Sequence, residues 1–383
     1  MKQIALLSHR FGNIGHNFMA LGAQAAAKEA FGSSVNITHF EQHHPFSIYP
    51  QGNILRIIDK IPHGKAAILR RYLGKRSVYQ KNWEKISNMD FDLAVACGGP
   101  NLVSGAAHTP EMRLMMLHFN GAFKHSGVPL LDAAVGSGFP MERIPEKLSS
   151  DDEDFYREAA SYTSEISVRE PTAARLYKSL GVKTDVVPCI AVGSGRYFEA
   201  VGKAVAAKDV SRDLVVINFQ EKGSNSDHNQ GVDAVEWMNL VRNVIKDLLS
   251  AGEKILLLCH SSYELKLARK IAPELQAVFP QTEEQYAKVI MRAKVGFVSR
   301  IHAAVALAGI GIPSLVVGND TRLGTTEQFG LPSIFTKEIT REQAVQTILK
   351  LIEDKDDEHE RLIQLREDTI STYAKKFLKN SRH

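Results

Sequence analysis

Cysteine is scarce and poorly placed for a structural role. Cys97, Cys189 and Cys259 are the only three in 383 residues. They are odd in number, far apart and each set in an apolar run, which excludes a disulfide framework and a zinc spacing and fits a reducing cytoplasm. Charge of one sign is also lacking. Against 47 lysines and arginines stand 43 aspartates and glutamates, a formal net charge of +4, too even for a nucleic-acid-binding stripe along the whole chain. No unbroken apolar run is long enough to span a membrane. The uncharged stretch from Ile301 to Asn319 comes nearest, but Gly309, Gly311 and Pro313 cut it into a helix and a strand. Ile4-Ala5-Leu6-Leu7, with His9-Arg10 close behind, is too short for the core of a signal peptide. Three motifs are missing as well: Gly-x-Gly-x-x-Gly after the first strand, a Walker lysine, and a Gly-x-Ser-x-Gly nucleophile elbow. The histidines, His43-His44 included, show no metal spacing with carboxylates. Neither a metal nor a redox cofactor is expected.

What is present is the composition of a soluble globular protein, 44% hydrophobic and 23% charged, with length enough for two domains. Short apolar strands alternate with helices. In the first half, strands are expected at Gln3–Ser8, Val35–Phe40, Asp92–Cys97, Val128–Val135, Glu165–Arg169 and Thr184–Pro188. Helices are expected at Phe18–Phe31, Met112–Lys124, Asp151–Ser161 (with Ser150 as N-cap) and Thr172–Leu180. After a polar stretch, Gly202–Arg212, the alternation resumes with strands at Leu214–Phe219, Lys254–His260, Gln276–Phe279, Val295–Val298 and Ser314–Val317. Its helices are expected at Ala234–Leu249, Ser262–Ile271, Glu283–Met291, Glu342–Glu353 and Glu358–Leu378. This order predicts an α/β protein of two Rossmann-like, doubly wound parallel-sheet domains facing a cleft, residues 1–200 and 210–383.

The strand ends carry the chemistry, as they do in open parallel sheets. Gly12-Asn13-Ile14-Gly15 separates the first strand from the first helix, where glycines let backbone N–H groups approach an anion. Gly98-Gly99-Pro100-Asn101 and Gly136-Ser137-Gly138 repeat the theme, and three glycine-marked strand ends favour one shared cleft over three unrelated turns. Ser167-Val168-Arg169-Glu170 ends a fourth strand. Arg169 reads either as a cleft cation or as half of a surface ion pair with Glu170 or Glu165. Near the C-terminus, Val298-Ser299-Arg300-Ile301-His302 passes from strand to helix and places a fixed cation and a titratable imidazole at one rim. Asn319-Asp320-Thr321-Arg322 adds a third cation after the next strand. Three cations from one cleft suit a small polyanion. A histidine at a helix N-terminus is disfavoured in its charged form, so substrate phosphate is needed to hold His302 protonated.

Residues 55–86 differ in kind. Nine basic residues, Arg56, Lys60, Lys65, Arg70, Arg71, Lys75, Arg76, Lys81 and Lys85, interleave with Leu55, Ile57, Ile58, Ile61, Ile68, Leu69, Tyr72, Leu73 and Trp83. The segment reads equally as a basic surface for anionic lipid or a diphosphate, which allows peripheral contact at the inner face of the cell membrane, and as a solvated helical face over the core.

Four of these elements, in this order, resemble the polysaccharide pyruvyl transferases: Gly12-Asn13-Ile14-Gly15, Gly98-Gly99, Ser167-Val168-Arg169 and Ser299-Arg300-Ile301-His302-Ala303. The resemblance spans about residues 3–335, and the Arg-x-His-Ala element with its following apolar helix and Gly-Ile-Pro is the most specific part. It implies a glycosyltransferase-B-type fold with the site between the domains. It also implies phosphoenolpyruvate as donor and, as acceptor, a sugar of a surface polysaccharide or its lipid-linked precursor. Carried over by motif, Arg169, Arg300 and His302 become donor-site residues, and Gly12, Asn13, Gly15, His16, Gly98, Gly99, Asn101, Asp320 and Arg322 become the substrate-binding surround. His16 stands where the family usually has an acidic residue, and Arg322 where it often has a lysine. On this reading the three arginines hold the donor's two anionic groups. His302 is the general acid or orients the leaving phosphate; Asp320, Glu170 and His16 are further acid–base candidates. Two rivals stay open on the same fold: a nucleotide-sugar glycosyltransferase and a non-catalytic scaffold of polysaccharide assembly.

Overall fold

The computed structural model describes residues 1–8, 14–41, 89–205, 211–224 and 229–382. The basic segment 55–86 and the residues Gly12 and Asn13 therefore lie outside the described residues.

Two parallel sheets organise the chain. The first contains β1 (Gln3–Ser8), β2 (Asn36–Glu41), β3 (Leu93–Cys97), β4 (Pro100–Leu102), β5 (Leu130–Ser137), β6 (Glu165–Val168) and β7 (Asp185–Val186). Its order is β2-β1-β3-β5-β6-β7, with β4 pairing to β5. The second contains β8 (Leu214–Asn218), β9 (Lys254–Leu258), β10 (Ala277–Val278), β11 (Ala293–Val298), β12 (Ser314–Gly318) and β13 (Ser333–Phe335), ordered β10-β9-β8-β11-β12-β13. That second order is the Rossmann 3-2-1-4-5-6 arrangement, which opens a crevice where the order reverses, here between β8 and β11. Every residue of β3, β5, β8 and β12 is buried. Their unbroken apolar character follows from helices covering both faces of a parallel sheet.

The expected alternation is present, with local differences. The first helix, Ile14–Phe31, starts earlier than expected. The expected Met112–Lys124 helix is broken into Pro110–Arg113, a π-helical Leu114–Phe119 and Asn120–His125. Ser149, not Ser150, caps Ser150–Ala160 by accepting the Asp152 N–H at 3.3 Å. A helix, Ser194–Val205, occupies the start of the stretch expected to link the halves. β4 and β13 are additional short strands.

The two halves share a core. One apolar cluster joins Ile4, Leu6, Phe18 and Leu93 of the first half to Val216, Val298, Ala304, Leu307 and Val316 of the second. The helix Ile301–Ala308 is buried from Ala303 to Ala308, as expected of a helix that is apolar all round. Between it and the first helix runs the segment Ile190–Gly193, packed backbone to backbone. A Cβ on Gly22 would lie 1.8 Å from the Ile190 carbonyl oxygen, and one on Gly195 would lie 1.7 Å from that of Gly309. A second seam is made by loops. Met141 N–H donates to the Asn319 carbonyl at 3.1 Å and Thr321 N–H to that of Phe139 at 2.9 Å, while the Ser137 and Thr321 hydroxyls meet at 2.6 Å. Finally, the long helix Lys355–Asn380 returns to the first half. Lys376 there pairs with Glu165 and, at 2.7 Å, with Asp185, and Arg382 N–H donates to the Asp92 carbonyl at 2.9 Å.

Candidate active site

Arg169 and His302 meet at the seam. Arg169 follows β6, its N–H donating to the Val135 carbonyl at 3.0 Å, and its side chain is only 1% exposed. Its Nη1 lies 3.3 Å from His302 Nε2 and 3.7 Å from Cys189 Sγ. The guanidinium is closely walled: a Cβ on Gly136 would meet Arg169 Nε at 2.6 Å, so any side chain at that strand end would displace the guanidinium. The expected alternative of a surface pair is not what forms. Glu165 is taken by Lys376, and Glu170 turns to the backbone. The Glu170 carboxylate caps Pro171–Ser179 by accepting the Thr172 and Ala173 N–H groups, both at 3.1 Å, and the Ser137 N–H at 2.8 Å. Among the described residues no carboxylate lies within 4.0 Å of the Arg169 guanidinium, and its Nε has no hydrogen-bond partner. A buried cation so placed is a ready site for an anion.

His302 is half-buried in the first turn of Ile301–Ala308. A guanidinium only donates, so Nε2 must accept from Arg169 and the ring proton sits on Nδ1. Burial first, then Arg169, His16, Arg322 and His260, hold its pKa well below the ordinary histidine value. The imidazole is therefore neutral at pH 7, and an anion bound beside Arg169 would favour its protonation. The first helix closes the other side. A Cβ on Gly15 would lie 2.6 Å from His302 Cβ and 2.8 Å from Nδ1, and the His16 ring meets the His302 ring edge-on at 5.9 Å between centroids. Gly15 and His16 thus both adjoin His302. Gly98, Gly99 and Asn101 sit one strand away. The Gly99 carbonyl accepts the Gly136 N–H at 2.8 Å, and the Asn101 carbonyl is held by the Tyr156 hydroxyl at 2.7 Å.

The other two arginines enter already paired, which alters the expected three-cation clamp. Arg322 Nε donates to Asp320 Oδ1 at 2.7 Å and Nη2 to Oδ2 at 2.5 Å, with a further bond from Nη2 to Ser224 Oγ at 3.1 Å. Arg300 Nε donates to Glu264 Oε1 at 2.9 Å, and its Nη2 also pairs with that oxygen. Asp320 and Glu170, both expected as acid–base candidates, are thereby committed to an ion pair and to a helix cap. Sequence reasoning missed Glu264, Asn218, His260, Tyr286, Cys189 and the Ser137–Thr321 contact. Asn218 and His260 had a legible signal, since each stands at or just after the end of an apolar run, Leu214–Ile217 and Ile255–Cys259. His260 Nε2 meets the Tyr286 hydroxyl at 3.1 Å, and burial together with Arg300 pushes its pKa down to about 3. Among the described residues no group of histidine, cysteine, aspartate and glutamate side chains is arranged to hold a metal ion.

Two parallel-sheet α/β halves with a strand-end site between them define a glycosyltransferase-B-type fold. Similar solved structures carry the same fold. The UDP-GlcNAc 2-epimerase from Neisseria meningitidis bound to UDP-GlcNAc matches with a TM-score of 0.59 at 8% identity, covering 99% of each chain. The S. aureus MnaA–UDP co-structure matches at 0.56 and 12% identity, covering 98% of this chain and 94% of that one. The UDP-GlcNAc 2-epimerase from Methanocaldococcus jannaschii matches at 0.53 and 11%, covering 92% of each. At such identities the likeness speaks for the fold alone. No curated protein sequence matches the chain. The family is settled by sequence: the polysaccharide pyruvyl transferase model matches residues 13–321, and the chain belongs to that family. Among the described residues no helix is long and apolar enough to cross a membrane.

Proposed function

We propose that this protein transfers the enolpyruvyl group of phosphoenolpyruvate to a saccharide, forming a pyruvate ketal and releasing phosphate. The observation that carries the reading is the buried, carboxylate-free Arg169 set against His302. A small anion bound there gains a fixed guanidinium and turns the imidazole from neutral to protonated. The reaction needs both. Protonating the donor's methylene makes a methyl group and builds positive charge on the adjacent carbon. One sugar hydroxyl adds to that carbon; a second then displaces phosphate to close the ketal. Of the two hydroxyl protons, one balances the proton taken up by the methyl and the other leaves with phosphate. Arg169 binds the donor's phosphate or carboxylate, and His302 delivers the proton or steadies the departing phosphate. On this reading Arg300 and Arg322, paired with Glu264 and Asp320, act as oriented donors rather than as bare charges. The acceptor is a sugar of a surface polysaccharide or its lipid-linked precursor, met on the cytoplasmic side. His16, beside His302, contributes to the acceptor side of the site.

The test is phosphate release from phosphoenolpyruvate with a panel of saccharide acceptors, on wild type and His302→Ala. Acceptor-dependent release that is lost in the variant supports the reading. Thermal protection by a uridine nucleotide with none from phosphoenolpyruvate would replace it with a nucleotide-sugar glycosyltransferase.

A further inference from the structure

At the crevice of the second sheet, several groups converge on one carboxylate. Glu264 is 3% exposed. Its Oε1 takes Arg300 Nε at 2.9 Å together with Nη2, while its Oε2 takes Asn218 Nδ2 at 3.2 Å and the His260 N–H at 2.8 Å. Asn218 Oδ1 in turn accepts the Arg300 N–H at 3.1 Å. The groups come from four chain segments: the end of β8, the end of β9, the first turn of Ser262–Ile271 and the end of β11. Local sequence offers Glu264 another partner. Ser261-Ser262-Tyr263-Glu264 has capping-box spacing, in which the glutamate reaches back to the N–H of the cap residue. Ser261 does cap the helix, accepting the Glu264 N–H at 3.1 Å. The Glu264 carboxylate, however, reaches past the cap to His260 and Arg300. A buried pair is weak evidence of stabilisation because two charges lose their water; what this one supplies is a fixed orientation.

We propose that Glu264 is the positioning residue for Arg300, holding its guanidinium in one plane at the end of β11 so that donor binding requires no ordering of that side chain. The inference rests on the phosphoenolpyruvate reading above. Glutamine at this position keeps the shape but sets an amide N–H₂, a donor, against the Arg300 donors or against the His260 and Asn218 donors, so the arrangement cannot survive intact.

The test is a double-mutant cycle read by thermal-shift titration of the full chain with phosphoenolpyruvate, using wild type, Glu264→Gln, Arg300→Ala and the double variant. Glu264→Gln is expected to weaken phosphoenolpyruvate binding about tenfold, and to add nothing in the Arg300→Ala background. A Glu264→Gln penalty of equal size in both backgrounds overturns the inference. So does a lower melting temperature without ligand while affinity stays within about twofold, which marks a purely structural role. Should Glu264→Gln fail to fold, Glu264→Asp keeps the charge and shortens the reach; it is expected to weaken binding by a smaller factor, and unchanged affinity there overturns the inference. Protection of the wild type with no effect of any Glu264 variant refutes this inference alone, whereas no protection of the wild type refutes the donor reading with it.

Discussion

Replacing Arg169 with methionine separates folding from binding more cleanly than any other change in this site. A buried polar side chain is usually costly to remove because its partners are left unsatisfied. Arg169 has few to leave: one imidazole nitrogen at 3.3 Å and one sulfur at 3.7 Å, with no carboxylate within 4.0 Å among the described residues. Its charge is desolvated with no carboxylate among the described residues to offset it, so deleting it relieves a cost at the same time as it removes packing against Gly136. The two effects oppose, and ligand-free stability is expected to change by less than about 2 kcal/mol. Binding has no such offset. Charge-assisted hydrogen bonds contribute about 1.5–3 kcal/mol each, so two of them lost from a donor anion weaken it by roughly 10² to 10⁴-fold. The assay pairs chemical denaturation with calorimetric titration of phosphoenolpyruvate and inorganic phosphate. Because His302 is held neutral largely by burial and by Arg169, titration in buffers of different ionisation enthalpy should also show proton uptake on binding in the wild type, lost in Arg169→Met. A variant that binds phosphoenolpyruvate within about threefold of wild type, or a wild type that binds it without proton uptake, would refute the anion-site reasoning.

Four further outcomes are expected. His302→Ala should keep a wild-type melting temperature within a few degrees and lose about 10² to 10⁴-fold in turnover, measured as phosphate release. His260→Gln should flatten the acid side of the stability profile. The folded pKa of His260 is down at about 3 while an unfolded histidine protonates near 6.5. Stability is therefore lost as pH falls below about 6.5, by roughly 1.4 kcal/mol per unit, and denaturation at pH 7.5 and 5.5 reads the difference. Asp132→Asn should act with the opposite sign. Burial raises the Asp132 carboxyl to about 7, and its Oδ1 has no partner, so the native state holds that proton where the unfolded state has shed it. The variant should be more stable at pH 8, by at most about 4 kcal/mol, with the gain vanishing toward pH 4; a pH-independent difference would contradict the assignment. Gly195→Ala would set a methyl group 1.7 Å from the Gly309 carbonyl oxygen; a loss of several kcal/mol or failure to fold is expected, and a near-wild-type melting temperature would argue against the tight seam.

Periodicity made the sheets legible, because buried parallel strands are short, mostly apolar and bounded by glycine or polar residues, and β1, β3, β5, β8, β9, β11 and β12 are all buried over most of their length. Short edge strands such as β13, and the helix Ser194–Val205, were not legible, since the latter opens with Ser-Gly-Arg and ends in the polar stretch that reads as a linker. Arg169 and His302 could be marked from their places at strand and helix ends. Their partners could not. Whether an arginine is bare or neutralised depends on residues distant in sequence: Glu264 lies 36 residues from Arg300, and its capping-box position suggests a purely local role. Asp320 stands two residues from Arg322, close enough that the pair was readable in hindsight as an internal ion pair. The juxtaposition of Arg169 with His302, 133 residues apart, follows only from the docking of the two halves.

That docking bears on how the site works. Arg169 comes from the first half and His302 from the second, so neither half alone brings the guanidinium to the imidazole. Flexible halves would leave this pair to form on closure. Here the seam is made of backbone packed on backbone at Gly22, Ile190, Gly195 and Gly309, with loop hydrogen bonds at Phe139–Thr321 and Met141–Asn319 on the other side. Contacts of that kind cannot slide by fractions of an ångström without collision, because no side chain is available to change rotamer. The guanidinium and the imidazole are thus held against each other before any ligand arrives. Burial and Arg169 together keep His302 neutral, its Nε2 accepting from the guanidinium at 3.3 Å; on the donor reading, an anion bound beside the pair would favour the protonated ring.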